Sequence, residues 1–271
     1  MTLVPTIDET RAQAAVEAAT RRVSALVRSM RHPSARALGR WSAVEVAAHL
    51  SHALDAIGAM AEGGGGLLDG LSALSRLTES LVEGETERDP AVLADRIEAS
   101  SARLLSIVRS GDREARRPWL VAGVEVPLSV LACHALNELV VHGRDIAVAE
   151  GIPWPVPRYE AALVVCGFLF PVLDRVGSTM LAPSAAGVRV TYDVRVRGGC
   201  RVALRFAGGE LSVTGPASDG VDCHLSVDPA GFLMVAWARV DQWQAIRRGQ
   251  LLAWGRRPWL GLELRTLLTN P

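Results

Sequence analysis

His134, Glu138 and His142 follow one another at four-residue intervals. An α-helix turns about 100° per residue, so positions four apart lie roughly 40° apart on one face. Glu138 and His142 can therefore reach for a common atom from successive turns. His49 and His52, three residues apart, share a face of a second helical segment. Two imidazoles and a carboxylate drawn from two helices form a borderline nitrogen–oxygen set that suits zinc, and also nickel, iron or manganese. The competing reading is structural, because a histidine on an apolar face is more often a hydrogen-bonded core residue. Three protein ligands would leave coordination positions open for water or substrate, the arrangement of a catalytic metal site rather than a closed structural one.

These residues must be positioned by helices whose ends are written in the sequence. Asp8 can cap a first helix running to Arg31. Ser42 with Glu45 makes a capping box, flanked by the Trp41–Val46 staple, and starts the helix that carries His49. That helix should stop before the run Gly63–Gly66, and a weaker amphipathic segment follows from Leu67 to Leu81. Asp89-Pro90 opens another helix ending near Gly111. Residues 118–127 read as extended or hairpin-like. Pro127 opens the long helix of Glu138 and His142, which Gly151 ends, and Arg158 to Met180 is the last helix of this half.

After Pro183 the period changes from helix to strand. Val188 to Val196 alternates apolar and polar residues, Arg201–Phe206 and Glu210–Val213 flank the turn Gly208-Gly209, and Cys223–Val227 is a fourth strand. Helical segments follow at 229–238, 240–248 and 258–268. The expected fold is thus α plus α+β: a helical bundle over 1–183, then a small α+β domain over 184–271.

Composition removes several function classes. The 271 residues are 49% apolar with 29 basic and 29 acidic side chains, so no net charge marks a nucleic-acid surface. All the basic residues are arginine, which excludes Schiff-base lysine chemistry and a P-loop. The longest apolar run, Ala161 to Leu173, holds Pro171 and is too short for a bilayer span, so no membrane partner is expected. Cys133, Cys166, Cys200 and Cys223 lack the close spacing of zinc or redox motifs, and no signal peptide is evident. A cytoplasmic chain with free, buried thiols is expected.

The stretch Trp41-Ser-Ala-Val-Glu-Val-Ala-Ala-His49-Leu resembles the second-helix motif of the DinB-like, mycothiol-dependent maleylpyruvate isomerase family. Asn137 to Gly151, with Glu138, His142 and Asp145, resembles that family's second metal motif. The resemblance spans about residues 6–180 and implies a four-helix metal-binding bundle. More loosely, the tail resembles the sterol-carrier-protein-like domain that often follows it. Carried over by position, the resemblance implies His49, Glu138 and His142 as ligands of a divalent metal, zinc first, with Asp145 in support. It matches neither His52 nor His134 to an obligatory ligand. It also implies an arginine from the tail near the site, for which Arg239, Arg247, Arg248, Arg256 and Arg257 are candidates.

The resemblance further implies mycothiol as thiol cosubstrate. A free thiol has a pKa near 8.5, and coordination to a divalent cation would deprotonate it. The expected function is therefore a metal-dependent mycothiol S-transferase acting on a small electrophile. The alternative is a maleylpyruvate-type cis–trans isomerase, in which thiol addition, bond rotation and elimination return the thiol. A reading of another class is a non-enzymatic carrier of apolar ligands, for which Glu138 would be dispensable.

Overall fold

The computed structural model describes residues 8–112, 115–217 and 219–269, which form two compact units divided between Val156 and Pro157.

The first unit is built on four helices, α1 (Glu9–Arg28), α2 (Ala43–Ala61), α4 (Pro90–Ser110) and α5 (Leu128–Ala149). Helices α1 and α2 each pack on both α4 and α5, closing a bundle over Val16, Leu50, Leu54, Leu93, Ile97, Leu131 and Leu136. The helix starts follow their local chemistry. Asp8 accepts the Arg11 amide at 3.1 Å, Asp89 accepts that of Ala91 at 2.8 Å with Pro90 in the first turn, and the Ser42 amide donates to Glu45 at 2.8 Å. Gly151, at φ +69°, lets the chain leave α5 in a left-handed turn. Between α2 and α4 the helix begins later than the Leu67–Leu81 expectation: a 3₁₀ turn at Leu71–Ala73 leads into α3 (Leu74–Gly84). Two short hairpins complete the unit, β1 (Arg36–Leu38) with β2 (Trp41–Ser42), and β3 (Arg116–Pro118) with β4 (Glu125–Pro127).

The second unit begins with α6 (Arg158–Val164), which runs through a π-helical stretch at Val165–Leu169 into α7 (Phe170–Val176). The boundary expected at 183/184 therefore falls earlier, because these helices pack on elements of the sheet unit: α6 on α8 (Pro229–Ala236), and α7 on β7 (Glu210–Thr214). The full helical stretch from Arg158 to Met180 is long and apolar enough to cross a membrane by length and composition, contrary to the shorter run read from sequence. However, 67% of its most apolar window is buried inside the protein, as in a core helix. The sheet has the order β7-β6-β5-β8-β9, where β5 is Val190–Val196, β6 Arg201–Ala207, β8 Cys223–Val227 and β9 Leu251–Trp254. Within this sheet β5 and β8 pair in parallel and the other neighbours pair antiparallel. Tyr192, Val194, Leu204, Phe206 and Leu225 cover the buried face. Helices α9 (Gln242–Arg247) and α10 (Leu260–Glu263) flank β9. Strand β9 has no counterpart in the sequence reading, since Leu-Leu-Ala-Trp shows no alternation.

One expectation about cysteine fails. Cys166 and Cys200 form a disulfide with their Cα atoms 5.8 Å apart, joining the π-helical stretch to the β5–β6 turn. Only Cys133 and Cys223 are free thiols, both buried. Spacing rules miss a pair that lies 34 residues apart and meets only through tertiary packing. With that pair oxidised, the cysteines no longer argue for a reducing compartment.

Candidate metal centre

Helix α2 presents His49, and the facing helix α5 presents Glu138 and His142 one turn apart. One ligand atom from each of the three lies within 4.8 Å of the other two. The Nε2 atom of His142 is 3.4 Å from Glu138 Oε2, and that of His49 is 3.7 Å from the same oxygen. Both separations exceed a good hydrogen bond. They match the edge of a tetrahedron around a cation bound at about 2.1 Å, which is roughly 3.4 Å. The side chains are 15%, 13% and 12% exposed for His49, Glu138 and His142. The donor set thus fits a divalent ion, with room for ligands that the protein does not supply.

Surrounding groups fix the orientation of each donor. Asp145, buried, lies 3.1 Å through Oδ2 from Nδ1 of His142, which keeps the Nδ1 proton there and turns Nε2 toward Glu138. Asn137 Nδ2 donates to Glu138 Oε1 at 3.1 Å, and His134 Nε2 lies 3.6 Å from the same oxygen. The two oxygens of Glu138 thus divide their roles, Oε2 facing His49 and His142 and Oε1 facing His134 and Asn137. Trp41 packs 5.3 Å from His49, ring to ring, and Trp119 lies 6.0 Å from His134. Gly143 permits α5 to approach α1, because a Cβ there would sit 2.7 Å from Val23.

Burial works against charge on Glu138, yet His142 and His49 hold its carboxyl well below the ordinary range. Burial also opposes charge on His142, but Asp145 and Glu138 outweigh it and push the imidazole up to about 9. Burial lowers both His49 and His134. Glu138 and Asp145 thus flank a single imidazolium on His142, a positive charge that a bound cation can take over.

Of the residues singled out in sequence, His49, Glu138 and His142 converge. His52 does not join them: its Nε2 faces Glu85 Oε2 at 3.2 Å, an oxygen that Arg96 also holds at 2.8 Å. His134 lines the back of Glu138. In the second unit, Asp222 holds Arg256 and lies 3.9 Å from Arg257, and Arg239 donates to the Trp237 carbonyl at 2.8 Å. Sequence reasoning missed Trp119 and Asn137. Asn137 is adjacent to Glu138, but Trp119 sits on a hairpin with no motif to flag it.

Residues 12–147 match the model of the mycothiol maleylpyruvate isomerase N-terminal domain. The chain belongs to this family. All three converging residues fall within the matched stretch, as do Asn137, Asp145 and Trp119. The fold is also similar to the crystal structure of the mycothiol-dependent maleylpyruvate isomerase, with a TM-score of 0.54 at 15% identity over 93% of this chain and 95% of that one. A histidine-to-alanine mutant of the mycothiol-dependent maleylpyruvate isomerase gives 0.53 at the same identity and coverage. At that identity the likeness concerns the fold. No curated protein matches the chain.

Proposed function

We propose that the chain is a mycothiol-dependent metalloenzyme that isomerises a small cis-enoyl acid of the maleylpyruvate type, with His49, Glu138 and His142 as the ligands of a divalent cation, zinc first. The observation that carries this reading is the convergence of three donor atoms within 4.8 Å in a mostly buried setting. A divalent cation there supplies the positive charge that makes a thiol a thiolate at neutral pH. The rest falls to the protein's own groups. His49 and His142 offer neutral nitrogen lone pairs, and Glu138 contributes the single negative charge among the donors, so the donor set would leave a divalent ion with positive charge to hold an anionic sulfur. Asp145 retains the Nδ1 proton of His142, and Asn137 fixes the carboxylate plane of Glu138. Trp41 beside His49 limits water at the centre.

In the isomerase reading the substrate's cis double bond becomes a single bond on addition of sulfur, rotates, and reforms when the thiol leaves. No thiol is consumed. The S-transferase reading, favoured from sequence alone, uses the same centre but spends one thiol per product. Membership of a family named for the isomerase favours the first. The C-terminal sheet unit is read with it as a sterol-carrier-like module, and the small-molecule thiol and enoyl acid are the partners. The test pairs thiol stoichiometry with metal content. Turnover of a cis-enoyl acid far beyond the thiol supplied supports isomerisation, and one thiol lost per product selects the transferase. Equal rates without any thiol refute both. Glu138→Gln should lose most of its metal and recover activity only in part with excess metal, whereas a carrier would tolerate it.

A further inference from the structure

The five-stranded sheet has two edges, and the protein treats them differently. At β7 the outward-facing amides are taken up within the unit: the Leu211 N–H donates to Ser178 Oγ at 3.0 Å and the Val213 N–H to Asp174 Oδ1 at 3.3 Å. At β9 the alternation of the ladder can be read from the Asp228 amide, which donates to the Gln250 carbonyl. The Gln250 carbonyl and the backbone groups of Leu252 and Trp254 therefore face β8, and Leu251 and Ala253 turn theirs outward. Among the described residues no hydrogen bond reaches the outward N–H or C=O groups of Leu251 and Ala253. Leu252 and Trp254, each 48% exposed, stand on the open face beside this edge. An open, apolar edge strand is a template for another strand.

The flanking charge selects the occupant. Arg247 and Arg248 precede β9 and Arg256 and Arg257 follow it; the first two are exposed with no acidic partner among the described residues, and Asp222 faces the second two. A second copy laid antiparallel along β9 would bring the Arg247–Arg248 pair that precedes one strand toward the Arg256–Arg257 pair that follows the other. Asp222 offsets only one of the two charges at Arg256 and Arg257, so arginines still meet arginines and self-pairing is disfavoured. An extended peptide with acidic ends and an apolar middle meets the same edge with complementary charge. We propose that β9 is a docking edge at which an extended, acid-flanked segment of a partner protein adds a sixth strand, bonded to Leu251 and Ala253 and covering Leu252 and Trp254.

The inference is independent of the metal centre, and its test needs no turnover. The probe is a synthetic peptide alternating valine and threonine with two glutamates at each end, titrated into the full-length protein and compared with the same peptide carrying arginines at its ends. The acidic peptide is expected to bind at least about tenfold more tightly, on the scale of one to two charge contacts, and to slow amide exchange at Leu251 and Ala253. Ala253→Pro removes an outward N–H while leaving the ladder to β8, so it should abolish binding with unchanged circular dichroism. If that variant misfolds, Arg247→Glu with Arg248→Glu serves instead, and should weaken the acidic peptide by about tenfold. Equal binding of both peptides, absence of binding, or binding without protection of those two amides overturns the proposal. So does sedimentation showing a dimer of the chain that Ala253→Pro dissolves.

Discussion

His142 and Asp145 form a carboxylate–imidazole pair inside one turn of α5, Nδ1 to Oδ2 at 3.1 Å, with Asp145 buried. The pair decides which nitrogen of His142 looks at Glu138. Asp145→Asn keeps the shape but loses the charge that sustains the Nδ1 proton. Metal affinity should fall by about 10–100-fold, the usual cost of losing such a partner, with helical content unchanged. Competition titration with a chromogenic chelator measures it, and an affinity equal to the parent's would remove Asp145 from the site.

The two histidines of α2 should separate cleanly. His49 faces Glu138, whereas His52 faces Glu85. His49→Ala is expected to lose most of the bound metal, and His52→Ala to keep it. Elemental analysis of the purified variants tests this, and the reverse pattern would show that the wrong turn of α2 had been assigned.

Acid should loosen the sheet unit through two carboxylates. Burial raises the pKa of Asp193, but Arg201 and His224 outweigh it and leave the carboxyl below its ordinary value. Asp222 is likewise lowered, by Arg256 and the Thr191 amide against burial. A depressed folded pKa contributes stability that is complete above the unfolded value near 3.9 and is lost as pH falls through the folded one. The urea midpoint should therefore drop from pH 5 toward pH 2, and Asp193→Asn should make that drop shallower. Parallel pH profiles for the two proteins would contradict the assignment.

The Cys166–Cys200 bridge closes a loop of 34 residues within one unit. Cross-linking a loop of that size contributes about 3–4 kcal/mol by restricting the unfolded chain. Cys166→Ser should lower the unfolding midpoint of the parent in non-reducing buffer and have no further effect once reductant is present. In the denatured, unreduced parent, only Cys133 and Cys223 should react with a thiol reagent. Reaction of all four cysteines would mean that the bridge is not formed.

The sequence by itself determined what is local. Capping residues at Asp8, Ser42 and Asp89 set the helix starts, because a free helix N-terminus is satisfied by neighbours within three residues. The four-residue step from Glu138 to His142 placed two donors on one face, since helical geometry alone fixes that angle. Alternation found β5 to β8, because apolar side chains recur on the face that packs in the core. Tertiary structure decided everything that depends on which surfaces meet. It turned His49 toward Glu138 and His52 toward Glu85, a difference that spacing leaves open and only the resemblance implies, because the rotation of α2 against α5 decides which imidazole points inward. It joined Cys166 to Cys200, gave the helix from Arg158 to the sheet unit, and placed Leu251–Trp254 at an edge. These outcomes rest on packing between residues far apart in the chain, where apolar surface is buried without regard to sequence distance, and no local pattern encodes that choice.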